Sequence, residues 1–142
     1  NTDETLSQIP SAPVLKEKTI DVQVAYSDLL KLPEKGKVKL REGDYLGAQL
    51  DFEKYILERP DADDIAIVNY WLGESYFVRN GFQKAANAYI ASLSRDPKGI
   101  KASSSMVKLA TSFAKLNNPE SCKILRKERS KIRNHQLQQQ RM

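Results

Sequence analysis

The sequence predicts an all-α protein built from about three successive helix-turn-helix repeats, and two observations carry that prediction. Sliding the chain on itself by 37 residues aligns Gly36, Gly73 and Ala110, then Gly43, Asn80 and Asn117, then Ala48, Ala85 and Cys122. The same offset aligns Phe52, Tyr89 and Arg126, and finally Pro60 with Pro97. Nearly every column keeps its size class, as expected when one supersecondary unit recurs in series. The second observation is punctuation. EGDY, RNGF and NNPE sit at the middle of the units as turn formers, and ERPDAD and SRDPKG close the first two units with a proline that cannot continue a helix.

Taken in chain order, residues 1–24 read as a flexible linker, with Pro10 and Pro13 set among Ser, Thr, Asp and Gln. Residues 20–32, which include DVQVAYSDLLKL, leave open whether a further helix precedes the repeats. The repeat domain is expected over 25–133, with units at about 29–62, 66–99 and 103–133. In the first unit, Pro33 and Gly36 in KLPEKGKVKL allow only a short helix starting near Pro33, whereas DYLGAQLDFEKYILER reads as a full second helix. The middle unit opens with NYWLGESYF and continues after RNGF with the Ala85 and Tyr89 helix. The third pairs IKASSSMVKLATSFAKL with PESCKILRKERSKIRN, where Pro119 occupies a tolerated first-turn position. Beyond Leu125 the apolar face thins, as suits a terminal capping helix. Residues 134–142 read as a polar basic tail that frays. Small residues twelve positions apart, such as Gly36 with Ala48 and Gly73 with Ala85, are expected to let two antiparallel helix backbones approach closely.

These columns match the tetratricopeptide pattern, a tryptophan, a Leu-Gly pair and a tyrosine in the first helix, then an alanine, an aromatic and a closing proline. In the middle unit the counterparts are Asn69, Leu72, Gly73, Tyr76, Ala85, Tyr89 and Pro97, agreeing at six of seven positions. The departure is the tryptophan, which stands at Trp71, two places late. The implied architecture is a right-handed superhelix of stacked helix pairs.

The runs VNYWLGESYFVRNGFQKAANAY and MVKLATSFAKLNNPESCKIL, with LREGDYLGAQLDFEKYILERPDADD before them, resemble the C-terminal tetratricopeptide domain of the YbgF family, the cell division coordinator CpoB, of the periplasmic Tol-Pal system. The resemblance covers about residues 33 to 125. It implies a periplasmic, non-enzymatic scaffold of Gram-negative bacteria that binds a Tol-Pal component such as TolA and links it to the peptidoglycan synthase machinery during envelope constriction. It also implies that the full-length protein trimerises through an N-terminal coiled coil that is missing here. A weaker resemblance, to the tetratricopeptide lipoprotein of outer-membrane protein assembly, fits the third unit less well.

In stacked helix pairs the first helix of each unit lines a groove. The groove residues expected are Lys37, Leu40 and Arg41 from the first unit, Ile67, Tyr70, Trp71, Glu74, Phe77 and Val78 from the second, and Val107, Lys108, Thr111 and Lys115 from the third. Leu72, Gly73 and Tyr76 are expected to turn inward against the second helix. Tyr70 and Trp71 lie about 100° apart around a helix, so both cannot be buried against one neighbour. The resulting groove, an aromatic centre with basic flanks and one acid, suits a partner segment with acidic residues.

No catalytic, cofactor-binding or metal-binding residues are expected. The single cysteine, Cys122, falls in the column of Ala48 and Ala85 and reads as a small buried residue, and with the one histidine, His135, it makes no zinc site. Phosphate loops, nucleophile elbows and apolar runs of the roughly 18 residues that span a bilayer are missing from the sequence. The charge of +5 is concentrated: residues 123–142 hold seven basic residues against one acid, so the first 122 sum to −1. That tail carries the alternative of salt-sensitive, sequence-blind nucleic-acid binding, which the lack of interleaved aromatics disfavours.

Overall fold

The computed structural model describes residues 25–117 and 119–141, so the expected linker at 1–24 lies outside the described residues. The chain divides into two compact units, Asn1–Lys31 and Leu32–Met142. In the first, residues 25–30 form a short helix, α1, within the stretch 20–32, of which residues 20–24 lie outside the described residues. Its end is closed by the Lys31 amide donating to the Asp28 carbonyl at 3.1 Å.

The second unit is all-helical among the described residues: α2 (Leu32–Glu42), α3 (Tyr45–Glu58), α4 (Ile65–Phe77), α5 (Phe82–Arg95), α6 (Ala102–Leu116) and α7 (Pro119–Gln140). Each helix packs on the next along the chain, and α2 also meets α4. The turns obey one rule. Gly43, Asn80 and Asn117, one column of the 37-residue offset, all take the left-handed backbone, with φ of 85°, 62° and 48°. Glycine and asparagine tolerate that region best, so each hairpin reverses at the residue type it requires. After Gly43, the Asp44 carboxylate accepts from the Gly47 amide at 2.9 Å and caps α3. At the other boundary Arg59 and Asp96 are held extended, with φ of −134° and −145°, by the prolines that follow them.

What lies against the small residues of the first helices is specific. A Cβ on Gly36 would stand 2.5 Å from the Phe52 ring, and one on Gly73 would stand 2.6 Å from the Tyr89 ring. The missing side chain therefore seats an aromatic ring of the following helix, and both rings are fully buried. Ala48 and Ala85 are fully buried as well. Ser92 ties three helices together: its hydroxyl donates to the Ala66 carbonyl of α4 at 2.6 Å, and Ser105 of α6 donates to it at 3.3 Å.

Tyr76 is half-buried: its ring packs against the core that Ala85 and Tyr89 of α5 belong to, as expected, while its hydroxyl reaches the other way and donates to Glu53 of α3, because a phenol in an apolar contact seeks an acceptor. Two further expectations change. Cys122 is exposed, and Ser121 is the buried small residue of α7. The reason lies one turn on: the position of Phe52 and Tyr89 is held in α7 by Arg126, whose guanidinium is costly to bury. The helix is turned by one residue so that Leu125 and Ile132 pack toward the core instead. Finally, the expected tail is helical as far as Gln140, since no proline or glycine follows Pro119 and Gln, Leu, Lys and Arg favour helix.

Candidate partner-binding surface

The first helices of the three hairpins bring a group of side chains together around Trp71. On α4, Trp71 meets Tyr70 edge-on at 5.1 Å between ring centres. From α2 the Lys37 ammonium stands 5.8 Å from the Trp71 ring centre, and from the start of α6 the Lys101 ammonium stands 4.9 Å from the same ring and 5.0 Å from Tyr70. Nearly two turns further along α4, the Lys108 ammonium of α6 lies 4.3 Å from the Phe77 ring centre. Such cation–ring contacts contribute about 0.5–1 kcal/mol at exposed sites and more when desolvated. Lys37 is also paired with Glu34 at 2.9 Å.

Glu74 anchors the middle of this surface from beneath. Its carboxylate accepts the Tyr89 hydroxyl at 2.6 Å and lies 3.6 Å from the Lys108 ammonium. The Tyr89 hydroxyl is thereby held protonated: burial first, then the bond to Glu74, pushes its pKa well up. Tyr70 shifts in the same direction, from burial and the nearby Glu74 charge. The Trp71 indole N–H is buried and has no acceptor.

The residues named from the sequence distribute unevenly over this surface. Lys37, Trp71, Glu74, Phe77 and Lys108 come together. Tyr70 is the correction: it is buried in the core with Tyr89, Leu109 and Phe113, which answers the geometric conflict with Trp71 in favour of the tryptophan. Val78 and Val107 are exposed, at 46% and 64%. Arg41 and Lys115 are exposed, Leu40 is half-buried on α2, and Thr111 bonds back to the Val107 carbonyl at 3.0 Å. Ile67 lines a small pocket with Asp63, Asp96 and Lys101 at the other end of α4. Lys101 is the residue that pattern reading missed. It precedes α6 in a turn, and only its four-carbon stem, laid over two rings of the neighbouring hairpin, makes it part of the surface.

The arrangement offers ammonium groups and ring faces, and no nucleophile paired with a base. Among the described residues no group of three His, Cys, Asp or Glu could hold a metal ion, and no helix is long and apolar enough to cross a membrane. Comparison with known protein families finds no family model that matches the chain, and comparison with curated proteins finds no match either.

Proposed function

We propose that this chain is a tetratricopeptide repeat domain and that the face shared by α2, α4 and α6 is a non-enzymatic protein-binding groove. The repeat reading is supported by the recurrence of one left-handed turn residue at Gly43, Asn80 and Asn117 and of one glycine-seated ring at Phe52 and Tyr89. The binding reading rests above all on Trp71: a half-buried indole whose ring is flanked by two ammonium groups is an anchor for a partner that brings apolar groups and carboxylates. The partner is a protein segment carrying carboxylates beside apolar residues. On the resemblance to the YbgF family, that partner is a Tol-Pal component such as TolA, and the setting is a periplasmic scaffold coordinating envelope constriction with peptidoglycan synthesis, trimeric in full length through a coiled coil.

The test is capture of purified TolA by this domain and by its Trp71→Ala and Lys101→Glu variants. Each substitution weakens capture by more than about tenfold while helical circular dichroism is retained. Capture that is equal for all three proteins refutes the groove. Absence of capture by the parent domain refutes TolA as partner, and a cytoplasmic location of the full-length protein refutes the periplasmic setting.

A further inference from the structure

A second surface lies at the far end of the stack. Each second helix uses one face to receive the helix that follows. In α3 the fifth and ninth residues, Gln49 and Glu53, accept hydrogen bonds from Arg79, in the turn after α4, and from Tyr76 of α4. In α5 the fifth and twelfth residues, Ala86 and Leu93, share the core with Ala102, Leu109 and Phe113 of α6. Since α7 is turned by one residue, its corresponding positions are the fourth, eighth and eleventh: Cys122, Arg126 and Arg129, with Arg133 one turn beyond. All four are exposed. The three arginines fall within about 60° of one another around the helix and span about 10 Å along it. With Ser130 they line an open surface pocket, and among the described residues none of their guanidinium groups has an acid partner.

We infer that this arginine face of α7 docks an acidic helix of a partner protein, stacked where the next helix of the series would lie. Charge complementarity selects that occupant. Carboxylates three or four residues apart on a helix repeat at about the same 5.4 Å pitch as these guanidiniums, whose planar forks can each hold both oxygens of one carboxylate. A second copy stacked head to tail is disfavoured, because α2 at the opposite end carries Lys35, Lys37, Lys39 and Arg41 against only Glu34 and Glu42. A nucleic-acid strand is disfavoured because α7 has no Phe, Tyr or Trp on which a base could stack.

The test uses the whole chain and a fluorescein-labelled, alanine-based helical peptide of about 20 residues with glutamates at spacings of three and four on one face. Binding is followed by fluorescence anisotropy. The parent chain binds this peptide more tightly than a scrambled peptide of equal charge. The variant R126Q/R129Q/R133Q loses about ten- to a hundredfold, two- to fivefold for each exposed ion pair. The variant K123Q/K127Q/R141Q, which removes the same charge from a stripe centred about 100° further round the helix axis, stays within about twofold. The inference is overturned by absence of binding, by equal binding of the scrambled peptide, or by an equal loss in the two triple variants. It is also overturned if a single-stranded oligonucleotide or an anionic phospholipid vesicle of matched charge binds the parent chain more tightly than the peptide does.

Discussion

Replacing Gly73 by alanine sets two effects of opposite sign against each other, and the structure decides between them. An alanine in a helix interior is favoured over glycine by about 1 kcal/mol. Against that, the new Cβ would stand 2.6 Å, 2.8 Å and 2.9 Å from three carbons of the Tyr89 ring, well inside contact distance. The ring cannot step aside, since it is fully buried and its hydroxyl is fixed on Glu74. Overpacking of a well-filled core costs typically 1–3 kcal/mol, and a ring that cannot move puts this site in the upper part of that range, about 2–3 kcal/mol, so the net effect is a loss of about 1–2 kcal/mol. For a unit of about this size the corresponding fall in melting temperature is roughly 4–8 °C, read by circular dichroism on heating. A double-mutant cycle isolates the cause: in a Tyr89→Leu background, where no ring occupies the space, Gly73→Ala becomes neutral or stabilising. An unchanged or raised melting temperature for Gly73→Ala alone, or the same loss in both backgrounds, refutes the reading that this glycine exists to seat the ring.

Three further outcomes follow from particular side chains. Tyr89→Phe keeps the ring on Gly73 but removes the bond to Glu74, and chemical denaturation should show a loss of about 1 kcal/mol; no loss would mean the hydroxyl is equally well served by water. Burial and the bond to Asp64 push the Tyr55 phenol up to about 12, and Tyr76 and Tyr89 are raised too, by burial and their bonds to Glu53 and Glu74. Phenols raised in the fold stabilise it fully below the unfolded-chain value of about 10 and lose that contribution as pH rises through the folded value, so alkaline unfolding sets in from about pH 10 upward, as tyrosinate absorbance and circular dichroism change together. Exposed Cys122 reacts with a thiol-specific chromogenic reagent in the folded protein; reaction only after denaturant is added would restore it to the buried column.

The parts legible in the sequence were those where one residue type alone meets a local demand. Gly43, Asn80 and Asn117 were visible as turn residues because the left-handed backbone they adopt restricts the choice of side chain. Gly36 and Gly73 were visible as a column of small residues, but the ring each seats was not, since spacing along a chain does not say which side chain from 16 residues away lies on the glycine. Tyr70 and Trp71 posed the same difficulty: periodicity placed them 100° apart, and the choice between them was made by α6, whose Leu109 and Phe113 share the core with Tyr70. Lys101 carried no pattern signal, because a lysine in a turn is ordinarily solvated and only the packing of neighbouring hairpins puts two rings within its reach.

The decay of the third unit has a physical consequence beyond a weaker match. Arginine at the position of Phe52 and Tyr89 removes the ring that the other two hairpins seat on a glycine, and Ala110 correspondingly replaces that glycine. With no ring to seat, α7 is free to turn by one residue, which buries Ser121 and Glu128, packs Leu125 against the core and carries Arg126 outward. The buried Glu128 keeps an ion pair with Lys131 at 3.0 Å, so the inward face holds one neutralised charge while the arginines all emerge together on the side. A single substitution in the ring column thus accounts for an exposed cysteine, a rotated helix and a cationic face at the end of the stack. Restoring the column tests this chain of causes in one step. The pair Arg126→Phe with Ala110→Gly should rotate α7 back and bury Cys122, and protection of that thiol in the native state would show it; a thiol that stays reactive would mean that the turn of the helix is set by Leu125 and Ile132 and not by the arginine.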